Sequence, residues 1–199
     1  GAISPSPFYT QDVASCVERS IIRPTVEAMN REGRTFRGVL YFGLMLTSDG
    51  PRVLEYNARF GDPEAQVVLP RLKTDLLEIM EAVTEERLDK VSIEWDKKAA
   101  VCVVAASGGY PGSYGKGLPI YGLEQADKEH GILLFHAGTK QTEAGLVTDG
   151  GRVLGVTALG DTMEDAAEKA YGRIGTICFR DMQYRKDIGT EIAERGEKW

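Results

Sequence analysis

The amino-acid sequence predicts an α+β protein, because helical segments alternate with strands that pair antiparallel. The apolar run "FRGVLYFGLML" (36–46) and the segment "RVLEYN" (52–57) are joined by "TSDG", a turn too short for anything but a hairpin. Residues 11–30 carry apolar side chains at helical spacing, and "AAVCVVAA" (99–106) is a continuous apolar run typical of a buried strand. A hairpin and separate helices indicate α+β rather than a parallel α/β sheet.

Composition and charge exclude several classes of protein. The chain has 199 residues, of which 42% are hydrophobic, enough for one large or two small domains. Its net charge of −6 argues against a general nucleic-acid surface, and no apolar run approaches the ~20 residues of a membrane helix. Three scattered cysteines fit reduced thiols. We therefore predict a cytoplasmic protein that binds neither nucleic acid nor membrane.

The first part of the chain contains helices on both sides of the hairpin. One predicted helix ends near Arg23 and a second begins at Pro24, because proline cannot sit inside a helix. After the hairpin, residues 64–72 and 75–83 have the pattern of two more helices. The charged stretch at 84–98 then interrupts the hydrophobic pattern. We place a domain boundary there, giving domains at residues 1–97 and 98–199.

The second part combines strands with one long helix. After the strand at 99–106 comes the glycine-rich loop "SGGYPGSYGKG" (107–117), followed by a strand at 132–138. Residues 145–160 are predicted to form a hairpin about Asp149-Gly150. Asp161 is predicted to cap a helix that ends near Thr176, with Glu164 completing a capping box.

Polar side chains occupy alternate positions where the first hairpin ends, in "EYNARFGDPEAQ" (55–66). Side chains two apart on a strand share a face, so Glu55 and Asn57 are expected to point the same way, with Leu54 and Tyr56 packed on the other side. A carboxylate and an amide about 7 Å apart along a strand offer the hard oxygen ligands that Mg²⁺ prefers. An ordinary solvated sheet face is the alternative interpretation of the same spacing.

Further polar groups extend this candidate site. Arg59 continues the line of Glu55 and Asn57, and its planar fork suits phosphate or carboxylate oxygens. Asp62 before Pro63 has the pattern of a helix N-cap, which would direct backbone N–H groups toward the same region.

The string at 38–66 resembles the metal-binding hairpin of ATP-grasp ligases, and its ending "NARFGDPE" resembles the phosphoribosylamine–glycine ligase family. Similar strings of that family recur in order along nearly the whole chain: "GAISPSP", "GGYPGSYGKGLPI", "FHAGT", "GGRVLGVTALGDT" and "MQYRKDIG". The resemblance implies the carboxy-terminal half of an ATP-grasp domain plus a smaller sheet-and-helix carboxy-terminal domain.

The resemblance also implies a reaction in de novo purine biosynthesis. The family joins glycine to 5-phosphoribosylamine through glycyl phosphate, converting ATP to ADP and phosphate. By resemblance Glu55 and Asn57 would ligate Mg²⁺ (or Mn²⁺), and Arg59 would act as the catalytic residue that neutralises the transferring phosphoryl group. Charge suggests that Asp62, with Gly61 beside it, binds the ammonium of glycine.

Two departures from the family bear on these expectations. The strand at 40–46 contains no acid, whereas several ATP-grasp relatives take a further ligand from it. The family's enzyme is about twice as long and in animals is often fused to later purine-pathway enzymes. We therefore expect this chain to be the carboxy-terminal part of a longer protein and inactive without its amino-terminal segments. Another ATP-grasp carboxylate–amine ligase and a non-catalytic fragment remain the alternatives.

Three other features receive separate interpretations. A structural hydrogen-bonding role is favoured for His136, since glycyl transfer needs no histidine. The loop at 107–117 lacks the spacing of a phosphate-binding P-loop and is either a loop closing over the site or a plain turn. Arg152 is expected at the surface or at a domain contact.

Overall fold

The computed structural model describes residues 1–124 and 131–190, and within them it has the α+β architecture that the sequence predicts. The strands are β1 (Ala2–Ser4), β2 (Tyr41–Thr47), β3 (Gly50–Asn57), β4 (Ala99–Ala106), β5 (Ile132–His136), β6 (Thr139–Thr142), β7 (Gly145–Thr148) and β8 (Arg152–Gly160). The α-helices are α1 (Gln11–Val17), α2 (Arg23–Arg31), α3 (Ala65–Val68), α4 (Leu76–Thr84) and α5 (Met163–Ile174). The described chain divides into two compact units, of which the first contains residues 1–4, 63–71 and those from 96 on, and the second contains 5–62 and 72–95.

The first unit is built on a four-stranded antiparallel sheet in the order β1-β4-β8-β5. Strand β4 is buried on both faces, which explains its uninterrupted apolar sequence. Val101 and Val103 belong to the core that includes Ala166 and Ala170 of α5, whereas Cys102 packs with α3. Because alternate side chains leave a strand on opposite faces, the two helices cover the two sides of β4.

Arg71 joins three segments of the first unit. Its guanidinium donates from Nε to the carbonyl of Lys98 (2.7 Å), from Nη1 to Ser4 Oγ (2.7 Å) and from Nη2 to the carbonyl of Asp96 (3.2 Å). Burial lowers the pKa of Arg71, although the Asp96 carboxylate acts in the opposite direction. The side chain thereby holds β1 beside the start of β4.

The predicted hairpin at 145–160 is wrong. Strand β7 pairs with β6, and β8 instead joins the four-stranded sheet between β4 and β5. The connections before β6 and after β7 touch at two glycines: a Cβ on Gly138 would lie 2.5 Å from Gly150 Cα. At Asp149-Gly150, where the sequence predicts a hairpin turn, the chain instead passes from the β6–β7 sheet to the four-stranded sheet. No sequence pattern predicted β6.

Helix α5 begins one residue later than predicted, and its cap is a different side chain. Thr162, not Asp161, is the N-cap, and its hydroxyl accepts from the N–H of Asp165 at 3.1 Å. The Asp165 carboxylate in turn accepts from the N–H of Asp161 at 3.0 Å and from Lys169 Nζ at 2.8 Å. Thus Asp165, rather than Glu164, supplies the acidic partner at the helix start.

The second unit contains the β2–β3 hairpin, which confirms the predicted antiparallel return about "TSDG". Strand β2 begins at Tyr41, so the predicted strand at 36–46 was too long at its start. The predicted break near Arg23 is a π-helical turn (Glu18–Ile22) between α1 and α2, with Pro24 in the first turn of α2. Proline lacks the N–H that would continue an α-helical ladder, which accounts for the irregularity.

The remainder of the second unit contains α4 and the charged segment that follows it. Helix α4 is capped by Asp75, whose Oδ1 accepts from the N–H of Leu77 at 2.8 Å. The segment at 84–98 folds back onto the residues before α4: the N–H of Lys73 donates to the carbonyl of Glu94 at 2.9 Å. Among the described helices, none has the length and apolar character to cross a membrane. The stretch "EIAERGEKW" (191–199), whose pattern is compatible with fusion to further domains, lies outside the described residues.

Candidate functional site

The candidate site lies on the β2–β3 hairpin, whose register is interrupted by a β-bulge. Gly43 pairs with Glu55, whereas Leu44 pairs with Val53. Leu54 is therefore the extra residue on β3. A bulge rotates the strand locally and redirects the side chains beside it. Here it comes immediately before Glu55, the first residue of the predicted site.

Glu55 and Asn57 are in direct contact. Asn57 Nδ2 donates a hydrogen bond to Glu55 Oε1 at 3.0 Å, which confirms that the two side chains share a face. Glu55 is exposed and Asn57 is half-buried. The contact fixes one carboxylate oxygen, and a carboxylate retains further acceptor positions for another ligand.

The predicted burial of Leu54 and Tyr56 on the opposite face is wrong. Leu54 is 64% exposed and Tyr56 is 50% exposed. The Tyr56 ring meets Phe42 edge-on, with ring centroids 5.3 Å apart, and its hydroxyl lies 3.4 Å from Thr25 Oγ1. Alternation predicted which side chains share a face, but it could not show how much of that face the described chain covers.

Arg59 does not continue the line of the strand, because β3 ends at Asn57. It lies in the bend that follows, and its Nη1 donates to the carbonyl of Phe60 at 2.8 Å. The side chain is exposed. The bend thus holds a guanidinium two residues beyond Asn57, in an orientation set by local backbone rather than by strand geometry.

The predicted N-cap at Asp62 is also wrong. Helix α3 begins at Ala65, its N-cap is Glu64, and no side-chain hydrogen bond caps it. Residues 62–64 form a turn, so the proline lies before the helix and not within it. Gly61 is buried and Asp62 is exposed. The expected array of helical N–H groups at Asp62 is therefore not part of the site.

The chemistry of Glu55 and Asn57 fits a magnesium ion. Among residues 1–124 and 131–190, no group of three or more His, Cys, Asp or Glu side chains is arranged to hold a metal. One carboxylate with one amide is a smaller set, but Mg²⁺ commonly takes one or two protein carboxylates and completes its shell with water and substrate phosphates. The absence of an acid in β2 leaves the pair as the local donor set.

The features interpreted separately above lie in the first unit. His136 Nδ1 is 3.1 Å from Thr139 Oγ1, in keeping with the predicted structural hydrogen bond. The 107–117 loop is fixed at its start, where Ser107 Oγ donates to the carbonyl of Gly150 at 2.8 Å. Gln183 Nε2 also donates to the carbonyl of Tyr110 at 2.8 Å. These two hydrogen bonds anchor the loop at Ser107 and Tyr110. Arg152 is half-buried at the start of β8.

A cavity of about 530 Å³ lies along α5 rather than at the hairpin, and its lining includes Asp165, Glu168, Lys169 and Arg173. Lys169 is bonded to Asp165 at 2.8 Å, so charges of both signs meet in its wall. None of the predicted site residues contributes to it. The cavity therefore gives no support to the predicted site.

Comparisons with known proteins agree with the family resemblance. The family model described as "Phosphoribosylglycinamide synthetase, ATP-grasp (A) domain" matches residues 1–65, and the model for the C domain of the same synthetase matches residues 100–191. A phosphoribosylamine–glycine ligase from Caldanaerobacter subterraneus subsp. tengcongensis is 50% identical over 188 residues, which is 94% of this chain and 44% of that protein. A trifunctional purine biosynthetic protein adenosine-3 from Gallus gallus is 49% identical over 95% of this chain and 19% of that protein.

Solved structures give the same result at the level of the fold. The crystal structure of a phosphoribosylamine–glycine ligase from Thermotoga maritima has a TM-score of 0.73 and 34% identity, covering 93% of this chain and 45% of that one. An N5-carboxyaminoimidazole ribonucleotide synthetase from the same organism has a TM-score of 0.59 at 22% identity, covering 89% of this chain and 45% of that one, which indicates a shared fold. The chain spans about half the length of the bacterial ligases that it matches, 44% to 46% of each.

Proposed function

The chain belongs to the phosphoribosylglycinamide synthetase family, and from that membership we propose that it supplies the metal-binding part of an ATP-dependent ligase. The proposed reaction joins glycine to 5-phosphoribosylamine and releases ADP and phosphate, a step of de novo purine biosynthesis. The observation that carries the proposal is the contact between Glu55 and Asn57, which presents a carboxylate and an amide on one face of β3.

The pair is proposed to hold Mg²⁺ or Mn²⁺ on the phosphates of ATP. When bound, the ion supplies positive charge beside phosphate oxygens and so reduces the repulsion between ATP and an incoming carboxylate. Glu55 contributes the negative charge that attracts the ion, and Asn57 contributes a neutral oxygen while its Nδ2 holds the carboxylate. A single-carboxylate site of this kind leaves most coordination positions to water and substrate.

The residues that follow the hairpin are proposed to bind the reacting groups. Arg59 is proposed to neutralise the transferring phosphoryl group, because a guanidinium offers several donors in a plane. Gly61 and Asp62 are proposed to bind glycine, with the Asp62 carboxylate facing the ammonium. The carboxylate of glycine then attacks the γ-phosphate to give glycyl phosphate, and the nitrogen of 5-phosphoribosylamine displaces phosphate to form the amide.

The organisation of the complete protein is part of the proposal. We assign residues 1–97 to the ATP-grasp domain and 98–199 to the carboxy-terminal domain, and the sites for ribose phosphate and for most of ATP to amino-terminal segments of the same enzyme. The proposed location is the cytoplasm, and nucleic acids and membranes are not among the proposed partners.

A chimera tests the proposed activity. The part of the Caldanaerobacter ligase that this chain matches, 44% of that protein, is replaced by this chain. We expect the chimera to convert ATP, glycine and freshly made 5-phosphoribosylamine into ADP and the glycinamide product. Glu55→Ala should lower its turnover by at least about 100-fold, because the phosphate charge then loses its compensation. Asn57→Ala should cost less, since water can replace a neutral ligand.

Asp49→Ala is the matched control, because it removes one exposed carboxylate from the turn of the same hairpin. Near-normal turnover of the Glu55→Ala chimera would overturn the metal assignment. A folded chimera that uses another amine or amino acid in preference would establish the other ATP-grasp ligase. A folded chimera with no ligase activity on a panel of such substrates would favour a non-catalytic role.

A further inference from the structure

Gly43 occupies the position of β2 directly opposite Glu55. It is buried, although Glu55 itself is exposed. A glycine inside a strand weakens that strand relative to alanine, and it commonly marks a bulge or a close approach. The bulge at Leu54 comes at this same pair, so both features act on the Glu55 side chain.

The space above Gly43 is filled by Glu55. A Cβ placed on Gly43 would lie 2.7 Å from Glu55 Cγ, closer than real Cβ atoms approach other heavy atoms. The next nearest atoms are the backbone oxygen and nitrogen of Glu55, at 3.5 and 3.6 Å, which are ordinary contacts. Gly43 also has a φ outside the left-handed region. The Glu55 side chain, and not the backbone, is therefore what requires glycine here.

We propose that Gly43 is a positioning residue for Glu55. The missing side chain gives Glu55 Cγ its place over β2, and from there the carboxylate reaches Asn57 Nδ2 at 3.0 Å. Any larger residue at position 43 forces Glu55 into another rotamer and separates the two members of the proposed ligand pair. The positional claim stands on the geometry alone, whereas its consequence for metal binding rests on the proposed function.

Nuclear magnetic resonance of the full chain tests the position directly. In Gly43→Ala, the side-chain amide resonances of Asn57 should move to where Glu55→Ala places them, because both changes remove the carboxylate from Nδ2. Gly115→Ala is the matched control, since a Cβ there meets nothing within 4 Å and its φ is also ordinary. Unchanged Asn57 resonances in Gly43→Ala would overturn the proposal.

Mn²⁺ binding, followed by electron paramagnetic resonance, gives the second readout. Gly43→Ala should weaken the affinity about tenfold or more, as loss of a supporting residue does at other metal sites, and Gly115→Ala should not. If Glu55→Ala weakens Mn²⁺ binding but Gly43→Ala leaves it intact, the positioning role is refuted and the metal site stands. If Glu55→Ala has no effect, the metal assignment fails, and the Asn57 resonances still decide the position of Glu55.

A double variant separates the clash from general damage to the hairpin. Adding Gly43→Ala to Glu55→Ala should not lower the urea midpoint of unfolding, because the atom in the way is gone and alanine suits a strand better than glycine. A loss of stability in the double variant as large as that caused by Gly43→Ala alone would show that something other than Glu55 requires the glycine, and would overturn the proposal.

Discussion

At the scale of single residues, Arg59 offers a specific test of how phosphate is held. Its guanidinium donates to the neighbouring carbonyl of Phe60 while the side chain remains exposed. Lysine would keep the charge but lose the planar set of donors. We expect Arg59→Lys to lower the turnover of the chimera about tenfold, the equivalent of one hydrogen bond to a charged group. Steady-state kinetics against ATP would measure it.

Arg52→Lys is the control for this substitution, since Arg52 is exposed on β3, shortly before the bend, and has no role in the proposed site. Full activity of Arg59→Lys would mean that charge alone is needed at the bend. Equal losses in both variants would point instead to a general effect on the hairpin.

The Asp165 carboxylate supports a prediction about pH. Its hydrogen bond to Lys169 Nζ, followed by the backbone N–H of Asp161, holds the pKa of Asp165 below its ordinary value. A lowered folded-state pKa means that this group stabilises the fold above the unfolded-state pKa and that the contribution disappears as the pH falls through the folded-state pKa. In Lys169→Met the pKa of Asp165 should rise toward the ordinary value.

Titration of the Asp165 carboxyl carbon by nuclear magnetic resonance measures this change. Lys140→Met provides the control, because it removes a lysine from the β6–β7 hairpin without touching Asp165. A pKa of Asp165 that stays equally low in Lys169→Met would show that the backbone N–H of Asp161 is the dominant cause.

The residues of the candidate site were partly predictable from the sequence. The two-residue alternation of a strand was enough to predict that Glu55 and Asn57 share a face, and the hydrogen bond between them confirms it. The same period could not predict that Leu54 and Tyr56 are exposed, because burial depends on what covers a face. A glycine within a strand, as at Gly43, commonly marks the close approach of another group. The strand register is needed to show that this group is the Glu55 side chain.

At the scale of elements, the crossing of two connections at Gly138 and Gly150 is a tight steric constraint in the first unit. A Cβ on Gly138 would also lie 2.7 Å from the carbonyl oxygen of Arg152, and backbone atoms cannot move aside as a side chain can. We expect Gly138→Ala to lower the free energy of unfolding by roughly 1–3 kcal/mol, the usual cost of overpacking. Urea denaturation of the full chain measures it.

Gly172→Ala is a control that should raise the free energy of unfolding. A Cβ there meets nothing within 4 Å, and alanine favours a helix over glycine by about 1 kcal/mol. Stability equal to the unmodified chain in Gly138→Ala would show that the two connections can separate without cost.

The elements themselves were predicted with uneven success, and the reasons are physical. Strand β4 was recognisable because burial on both faces leaves no polar position. The partner of β7 was not, since Asp149-Gly150 is an ordinary hairpin signal, although β7 pairs with β6 and β8 joins the other sheet. The predicted N-caps at Asp62 and Asp161 came two residues and one residue too early, respectively. Asp161 and Thr162 are both suitable caps for α5, whereas α3 begins without any side-chain cap.

At the scale of the whole molecule, the coverage of the relatives leads to a prediction for the chain alone. It matches 94% of its own length to the Caldanaerobacter ligase but only 44% of that protein. Supplied with ATP, Mg²⁺, glycine and 5-phosphoribosylamine, the isolated chain should release no ADP above background. Addition or co-expression of the unmatched part of that ligase as a separate chain should restore some turnover.

The isolated chain with Glu55→Ala, mixed with the same partner, controls for activity of the partner itself. Turnover by the unmodified chain alone near the ~1–10³ s⁻¹ of ordinary enzymes would overturn the assignment of the substrate sites to amino-terminal segments. Failure of every mixture would contradict the proposal that the unmatched part of that ligase supplies the missing substrate sites as a separate chain.

The guanidinium of Arg71 has a consequence for how the first unit responds to ionic strength. All three of its described hydrogen bonds end on neutral acceptors, two backbone carbonyls and the Ser4 hydroxyl. Dissolved ions screen a pair of opposite charges far more than a bond between one charge and a dipole at contact distance. The attachment of β1 to the sheet should therefore hold in molar sodium chloride, under conditions where exposed ion pairs such as that of Arg23 with Glu18 are screened.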